Sequence, residues 1–381
     1  MLSLEDLEKN LEQKVAEFGK TFVAPYTESI DKEARFPKEA YDELKKQGFM
    51  GLLVPKEYGG SGGSCLHHAL VCYTLAQFVA STALCYMMHN VATACIATFG
   101  TKEQKEEFLP KIAKGEISFA LAYSESGSGT HFGLPDITET EAGEYRILKG
   151  RKSFVTSAQQ ANYYLTYTNS CKVKGGKNNW ITPNNAEGIY HEEGVWNGLG
   201  MRGNVSKPVQ YNDVKLHTKQ YLLGKDGEGE AQAGVVAMYF VVGLGAVYSG
   251  VGRASYECAL NHCKSRKYTD GSSLADKELV RIHIAELYTK TQSQIALTKE
   301  AARAFDEKDS EAPCKIFACR INATQLVMDI CALAMRLGGG KAYSKLIPLE
   351  RYLRDAFASQ VMAPSLDVLQ VWLSDALLPK E

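Results

Sequence analysis

The side chains able to do chemistry are unevenly spread along this chain. Its eight histidines (67, 68, 89, 131, 191, 217, 262 and 283) contain no H-E-x-x-H or i, i+4 pair. His67 and His68, adjacent on a helix, point in different directions, so no metal site is expected. The ten cysteines show no C-x-x-C spacing, and most fall in apolar, helix-like stretches. They read as reduced thiols of a cytosolic core. No P-loop is present. What remains is a polar turn, Tyr123-Ser124-Glu125-Ser-Gly-Ser-Gly129-Thr130-His131, an aromatic strand segment, Phe154-Val155-Thr156, and a glycine run, Leu337-Gly338-Gly339-Gly340. Read alone, these are a surface β-turn, ordinary core and a helix C-cap.

The elements that position them fall into three blocks. Leu4, Leu7, Leu11, Val15, Phe18 and Phe22 recur every three or four residues, as one face of a helix opening at Ser3 requires. Two apolar helices fill 64–99, and Thr101 with Gln104 starts another as a capping box. From Ile117 the texture changes to short β-branched and aromatic runs at 118–123, 145–148, 162–167 and 209–214, separated by Gly, Asn, Asp and Pro. Helical pattern returns after Gly229, with long stretches at 231–264, 274–306 and 313–337. The expected fold class is α+β and multidomain: an N-terminal helical domain (1–117), a middle antiparallel, barrel-like β domain (118–228) and a C-terminal four-helix bundle (229–381).

Charge and hydropathy narrow the partners. Lys plus Arg number 43 against 44 Asp plus Glu, which leaves no cationic footprint for nucleic acid or an anionic membrane. The uncharged run Ala231–Gly252 is long enough to span a bilayer but holds four glycines before Gly252, together with Gln232, Tyr239, Tyr248 and Ser249. It reads as a buried helix. The acidic N-terminus shows no secretory or transit signal, and the expected location is cytoplasmic.

Four sequence blocks, in order, resemble the acyl-CoA dehydrogenase family over almost the whole chain: Val54-Pro-Lys-Glu-Tyr-Gly-Gly60; Gly100-Thr-Lys-Glu-Gln-Lys with Leu109-Pro and Gly115-Glu; Gly198-Leu-Gly-Met-Arg-Gly203 with Leu222-Leu-Gly-Lys-Asp-Gly-Glu-Gly229; and Leu337-Gly-Gly339 with Arg354-Asp355. The resemblance implies FAD, an acyl thioester substrate and α,β-dehydrogenation. It places the flavin's pyrimidine edge against Tyr123, Ser124, Gly129 and Thr130, with His131 in place of the usual Asp. Phe154, Val155 and Thr156 would line its ring. Arg266 would reach the pyrophosphate across a subunit interface, and Leu337, Gly338 and Gly339 would lie against the adenosine. The Phe-Gly that usually follows Arg266 is replaced by Lys267-Tyr-Thr-Asp-Gly271, and Met335 stands for the usual Gln. Ser365 and Asp367 complete the implied cofactor set.

Such a dehydrogenase needs a glutamate to take the α-proton while hydride leaves the β-carbon. The usual position, nine residues after Arg354, is Ala363. The alternative, at the start of the first bundle helix, is Phe240, with Val241 where an acyl-CoA-binding arginine would stand. Substitute bases to weigh are Asp367, Glu125, Tyr86 and His89. Three readings follow: a dehydrogenase with a non-standard base, other flavin chemistry of oxygenase or desulfinase type, or a silent subunit paired with an active paralogue. The acyl group would ride on CoA or on an acyl carrier protein, the electrons would leave to an electron-transfer flavoprotein in the first case, and the expected assembly is a homotetramer.

Overall fold

The computed structural model describes residues 2, 3, 5–131 and 133–378; Leu4, assigned to the first helical face, lies outside them. Ser3 and Asp6 cap the first helical segment reciprocally, the Asp6 amide donating to Ser3 Oγ at 3.1 Å and the Ser3 amide to Asp6 Oδ2 at 2.7 Å. Leu7, Leu11, Val15 and Phe18 turn inward along it, through α1 (Leu11–Phe18). The N-terminal unit continues through α2 (Thr27–Glu33), α3 (Lys38–Lys46), α4 (Cys65–Ala76), α5 (Ala80–Phe99) and α6 (Lys102–Ala113). Thr101 and Gln104 form the expected capping box at the start of α6.

Among the described residues the β region holds seven strands: β1 (Phe119–Ala122), β2 (Thr138–Ala142), β3 (Tyr145–Val155), β4 (Tyr163–Asn169), β5 (Lys177–Pro183), β6 (Ile189–His191) and β7 (Lys207–His217), the last running into the short α7 (Thr218–Tyr221). They form two sheets, ordered β1-β4-β5 and β2-β3-β7-β6. The pairing is antiparallel except between β1 and β4, which run parallel. The chain leaves β1, builds β2 and β3 in the other sheet and only then returns, and so long a crossover permits the parallel register that a hairpin forbids.

The C-terminal unit comprises α8 (Gly229–Ser265), α9 (Glu278–Asp306), α10 (Ala312–Tyr343), α11 (Leu349–Val361) and α12 (Leu366–Leu377). Helices α8 and α10 are long and apolar enough to cross a membrane, but 67% of the apolar window of α8 is buried inside the fold. It is a core helix, packed against α4, α5, α9 and α10. All ten cysteines are free, and seven are buried.

Candidate active site

One large cavity, about 920 Å³, lies where the β region meets the bundle. Its walls come from the end of β1 and the following turn, the end of β3, the segment Gly198–Met201, the start of α8, and the end of α11.

The turn after β1 is held from below by a buried ion pair. Lys152, wholly buried on β3, donates to the carboxylate of Glu125, to Tyr123 O at 3.2 Å and to Tyr167 O at 2.5 Å. Burial pulls the lysine down to about 8, and the Glu125 charge opposes that fall. Glu125 also accepts the amide N–H of Asp136 and that of Ile137, the latter at 3.2 Å. Every polar direction of this pair is used to tie the loop 124–137 to both sheets. Gly129 in that turn has φ +54°, and none of the described residues comes within 4 Å of where a side chain would stand.

Strand β3 points alternate residues inward up to Lys152. A register shift between Lys152 and Val155 then brings Val155 into the core and leaves the Phe154 ring 61% exposed on the cavity wall. Beside it, Thr156 Oγ1 lies 2.9 Å from Ser206 Oγ. Tyr123 closes the inner end of the cavity. Its hydroxyl donates to Asn179 Oδ1 at 2.7 Å, Asn179 Nδ2 donates to Gln232 Oε1 at 3.0 Å, and Gln232 Nε2 to Leu223 O at 2.8 Å. That relay links β1, β5 and α8.

The bundle side is set by α8 and α11. Val236 and Phe240, one turn apart on α8, line the cavity together with Met88 and Leu121. So do Met362 and Ala363 at the end of α11. The two positions at which the family resemblance implies a glutamate therefore face one chamber, and both are apolar. Thr130 Oγ1 accepts the Ser365 amide N–H at 2.9 Å, which joins the turn 123–130 to the loop carrying Ala363.

The substitute bases are placed elsewhere or committed. The His89 ring is buried and bridges two backbones, its Nε2 donating to Met50 O at 3.0 Å while its Nδ1 accepts the Phe119 amide at 3.1 Å. Burial lowers it to about 4, which keeps it neutral. Tyr86 is buried and donates to Phe49 O at 3.1 Å. Neither lines the cavity. Asp367 is exposed in the first turn of α12, where a carboxylate favours the helix dipole. Glu125 alone of the four reaches the wall, and it is locked by Lys152 and two amides. The ionisable groups lining the cavity among the described residues are Tyr123, Glu125, Arg151 and Arg354. Arg151 pairs with Glu192, and Arg354 with Asp31 at 2.6 Å and Glu350 at 2.7 Å.

The remaining expected cofactor contacts lie apart. Phe240 and Arg266 are separated along α8 and its C-cap by 26 positions, about 39 Å at helical rise. Arg266 is exposed there, its guanidinium 5.5 Å from the Tyr268 ring centroid. Leu337 and Gly338 are buried in α10 among the side chains packed at that far end, and Gly339 breaks the helix with φ +53°. Within one chain these groups and the turn at 123–130 do not meet.

Sequence reading missed three residues that shape the site. Lys152 sits at an inward strand position, and a charge at that parity is the legible signal. Trp196 carried none. Asp355 was noted only as a motif residue. It is buried, and its Oδ1 accepts the Met201 amide N–H at 2.6 Å, which fixes the cavity segment 198–206 to α11. Met201 and Val205 in that segment have φ +50° and +48°, strained for non-glycine residues.

Burial pushes the Asp355 carboxyl from 3.8 up to about 6, against the Met201 N–H and the charges of Arg351 and Arg354 and with that of Asp31. The folded chain then holds this proton more tightly than the unfolded chain. The stabilisation it brings is complete below the unfolded value and is lost as pH rises through about 6. Unfolding free energy from this group is expected to fall by up to about 3 kcal/mol between pH 4 and 7. Thermal melts across that range test it, and an Asp355→Asn chain should lose that component of the slope. An unchanged slope would show that Asp355 does not titrate there.

Three-domain order, a cavity between sheet and bundle, and a hydroxyl-bearing turn beside an exposed aromatic ring define a helical-β-helical fold with a ligand-sized chamber between its sheet and its bundle. Comparison with known proteins gives its family. Models of the acyl-CoA dehydrogenase N-terminal, middle and C-terminal domains match residues 5–116, 120–214 and 238–369. The chain is 27% identical over 382 aligned positions to the mitochondrial isobutyryl-CoA dehydrogenase of Dictyostelium discoideum, covering 99% of this chain and 90% of that one. It is 28% identical to the caffeyl-CoA reductase-Etf complex subunit CarC of Acetobacterium woodii, covering 93% of each. Butyryl-CoA dehydrogenase from Megasphaera elsdenii has the same fold, with a TM-score of 0.92, 24% identity and coverage of 98% and 99%.

The chain belongs to the acyl-CoA dehydrogenase family. It is a flavin-dependent oxidoreductase with FAD as its cofactor. The cavity fits that group: hydroxyls at Ser124, Thr130 and Thr156 offer hydrogen bonds to a polar ring edge, while Phe154 offers an apolar face to the ring.

Proposed function

We propose that this chain carries out oxidation or reduction at the Cα–Cβ bond of an acyl thioester, in a chamber where no side chain of its own stands ready as the α-proton base. The observation that carries this is the joint presence of Ala363 and Phe240 on the cavity that also holds the turn 123–130. Ser124, Gly129, Thr130, Phe154 and Thr156 would hold the flavin ring, with Val155 contributing through its backbone. Ser365 and Asp367 would support the turn from α12. FAD, when bound, supplies the acceptor or donor of a hydride. The protein's part is to seat the acyl chain against Met88, Leu121, Val236, Phe240 and Met362, to exclude bulk water with those apolar walls, and to keep Glu125 and Arg354 neutralised by their partners. With Ala363 in place of a carboxylate, the α-proton would have to pass to an acceptor other than the side chains at 363 and 240.

Arg266, Leu337, Gly338 and Gly339 support an assembly of at least two chains. If they serve one FAD, the distance along α8 means that they come from a neighbouring subunit. A homotetramer is the simplest such assembly, and a heteromer with an active paralogue would meet the same demand. The name of the Acetobacterium relative includes an Etf complex, which favours an electron-transfer flavoprotein as partner. CoA or an acyl carrier protein would bring the acyl group. The domain limits 1–117, 118–228 and 229–381 and a cytoplasmic location complete this reading.

The absence of a committed base favours a second reading, flavin chemistry that removes no carbon-bound proton, of oxygenase or desulfinase type. A visible spectrum of the purified protein, recorded during anaerobic titration with short- and medium-chain acyl-CoAs, separates the two. Bleaching by an acyl-CoA supports the first reading. A yellow protein that no acyl-CoA bleaches, but that turns over with reduced flavin and oxygen, supports the second. A colourless one would point to a silent subunit.

A further inference from the structure

Between β6 and the segment Gly198–Met201, residues 192–199 form a strap without regular structure along the rim of the cavity. It is fastened at both ends. Lys207 Nζ donates to Glu192 O at 3.0 Å, and Arg151 pairs with the Glu192 carboxylate. At the other end Arg202 donates to Gly198 O at 3.1 Å and Arg354 to Leu199 O at 3.2 Å. Four cationic side chains thus fix a strap of eight residues.

Its middle carries Trp196. The indole meets the Phe154 ring edge-on, with centroids 6.0 Å apart and planes at 75°, and both rings line the cavity. The indole edge lies over Gly198, where a methyl group would come within 2.6 Å of Nε1. Nε1 is buried there and has no hydrogen-bond partner among the described residues. Packing rather than hydrogen bonding therefore sets this ring in place. Phe154 and Trp196 together form an apolar corner, and an exposed aromatic corner of that kind suits a planar, polarisable ring, because offset and edge-on aromatic contacts add to plain burial.

We propose that Trp196 is a cofactor-contact residue, the second wall of the corner in which the flavin ring lies, with the strap 192–199 holding it there. This deepens the reading that the FAD ring occupies this cavity, and rests on it. Neither the family motif blocks nor the turn 123–130 includes Trp196.

The test is made on the flavin-loaded protein, comparing the wild-type chain with Trp196→Phe and, as a control, Trp372→Phe on α12, where the indole instead packs near Phe317. Emission of bound flavin is the first readout, because an indole in contact quenches a flavin by donating an electron and a phenyl ring does not. The FAD dissociation constant is the second. The expected result is brighter flavin in Trp196→Phe and unchanged emission in Trp372→Phe. Loss of part of an aromatic contact should also weaken FAD binding by roughly threefold to tenfold. Wild-type emission and affinity in Trp196→Phe would overturn the inference alone. A Gly129→Val chain checks the reading beneath it, since a branched side chain at φ +54° distorts the turn. If that chain keeps its flavin with undiminished affinity, the ring does not lie in this cavity, and both fall.

Discussion

An Ala363→Glu chain is expected to reduce its flavin with acyl-CoA about 10²- to 10⁴-fold faster than the native chain, the usual contribution of a positioned general base. Ala363 lines the cavity beside Met362, and its loop is tied to Thr130 through the Ser365 amide, so a carboxylate there enters a chamber already bounded by the turn 123–130. Its apolar surroundings would also raise the pKa of the new carboxylate toward the range in which a base works at neutral pH. Rapid-mixing measurement of flavin bleaching under anaerobic conditions is the check. Ala363→Gln, of the same size but unable to take the proton, should stay at the native rate. Equal rates in the native and glutamate chains would show that the proton leaves by another route, or that the native substrate is not a carbon acid.

Lys152→Met is expected to destabilise the fold by about 3 to 5 kcal/mol, because it leaves the buried Glu125 carboxylate without its counter-charge. Two backbone carbonyls, of Tyr123 and Tyr167, lose their donor in the same step. Denaturant melts of the two chains report the loss. The double change Lys152→Met with Glu125→Gln should recover part of it, since a neutral amide costs less to bury than an unpaired charge. The cofactor readout distinguishes a local from a global role: the loop 124–137 hangs from this pair, so flavin affinity should fall in the single variant below its melting point. A single variant as stable as the native chain would show that the pair contributes nothing net.

These two results bear on different properties of one site. The ion pair and the Tyr123–Asn179–Gln232 relay make the cavity rigid on its β side, whereas the missing carboxylate concerns only the bundle side. The turn 123–130 and its supports can therefore stay in place while the bundle side of the chamber carries no carboxylate. Asp355 and Arg354 join the two sides by holding the segment 198–206, and through it the strap that bears Trp196.

Local signals in the sequence determined much of this. The spacing of Leu7, Leu11, Val15 and Phe18, the Thr101–Gln104 box and the uncharged run of α8 fix helices, because periodicity and capping act over a few residues. The loss of a glutamate at 363 and at 240 was equally legible, being a matter of residue type at counted positions. Tertiary structure alone decided that Ala363 and Phe240 share one chamber and that β1 pairs parallel to β4. It also decided which candidates were free to act. His89 and Tyr86 look reactive as residue types, yet each hydrogen-bonds backbone carbonyls that helix geometry brings near from α3–α4 connections far away in sequence. Contacts of that kind depend on how whole elements cross, and no pattern within one element records them.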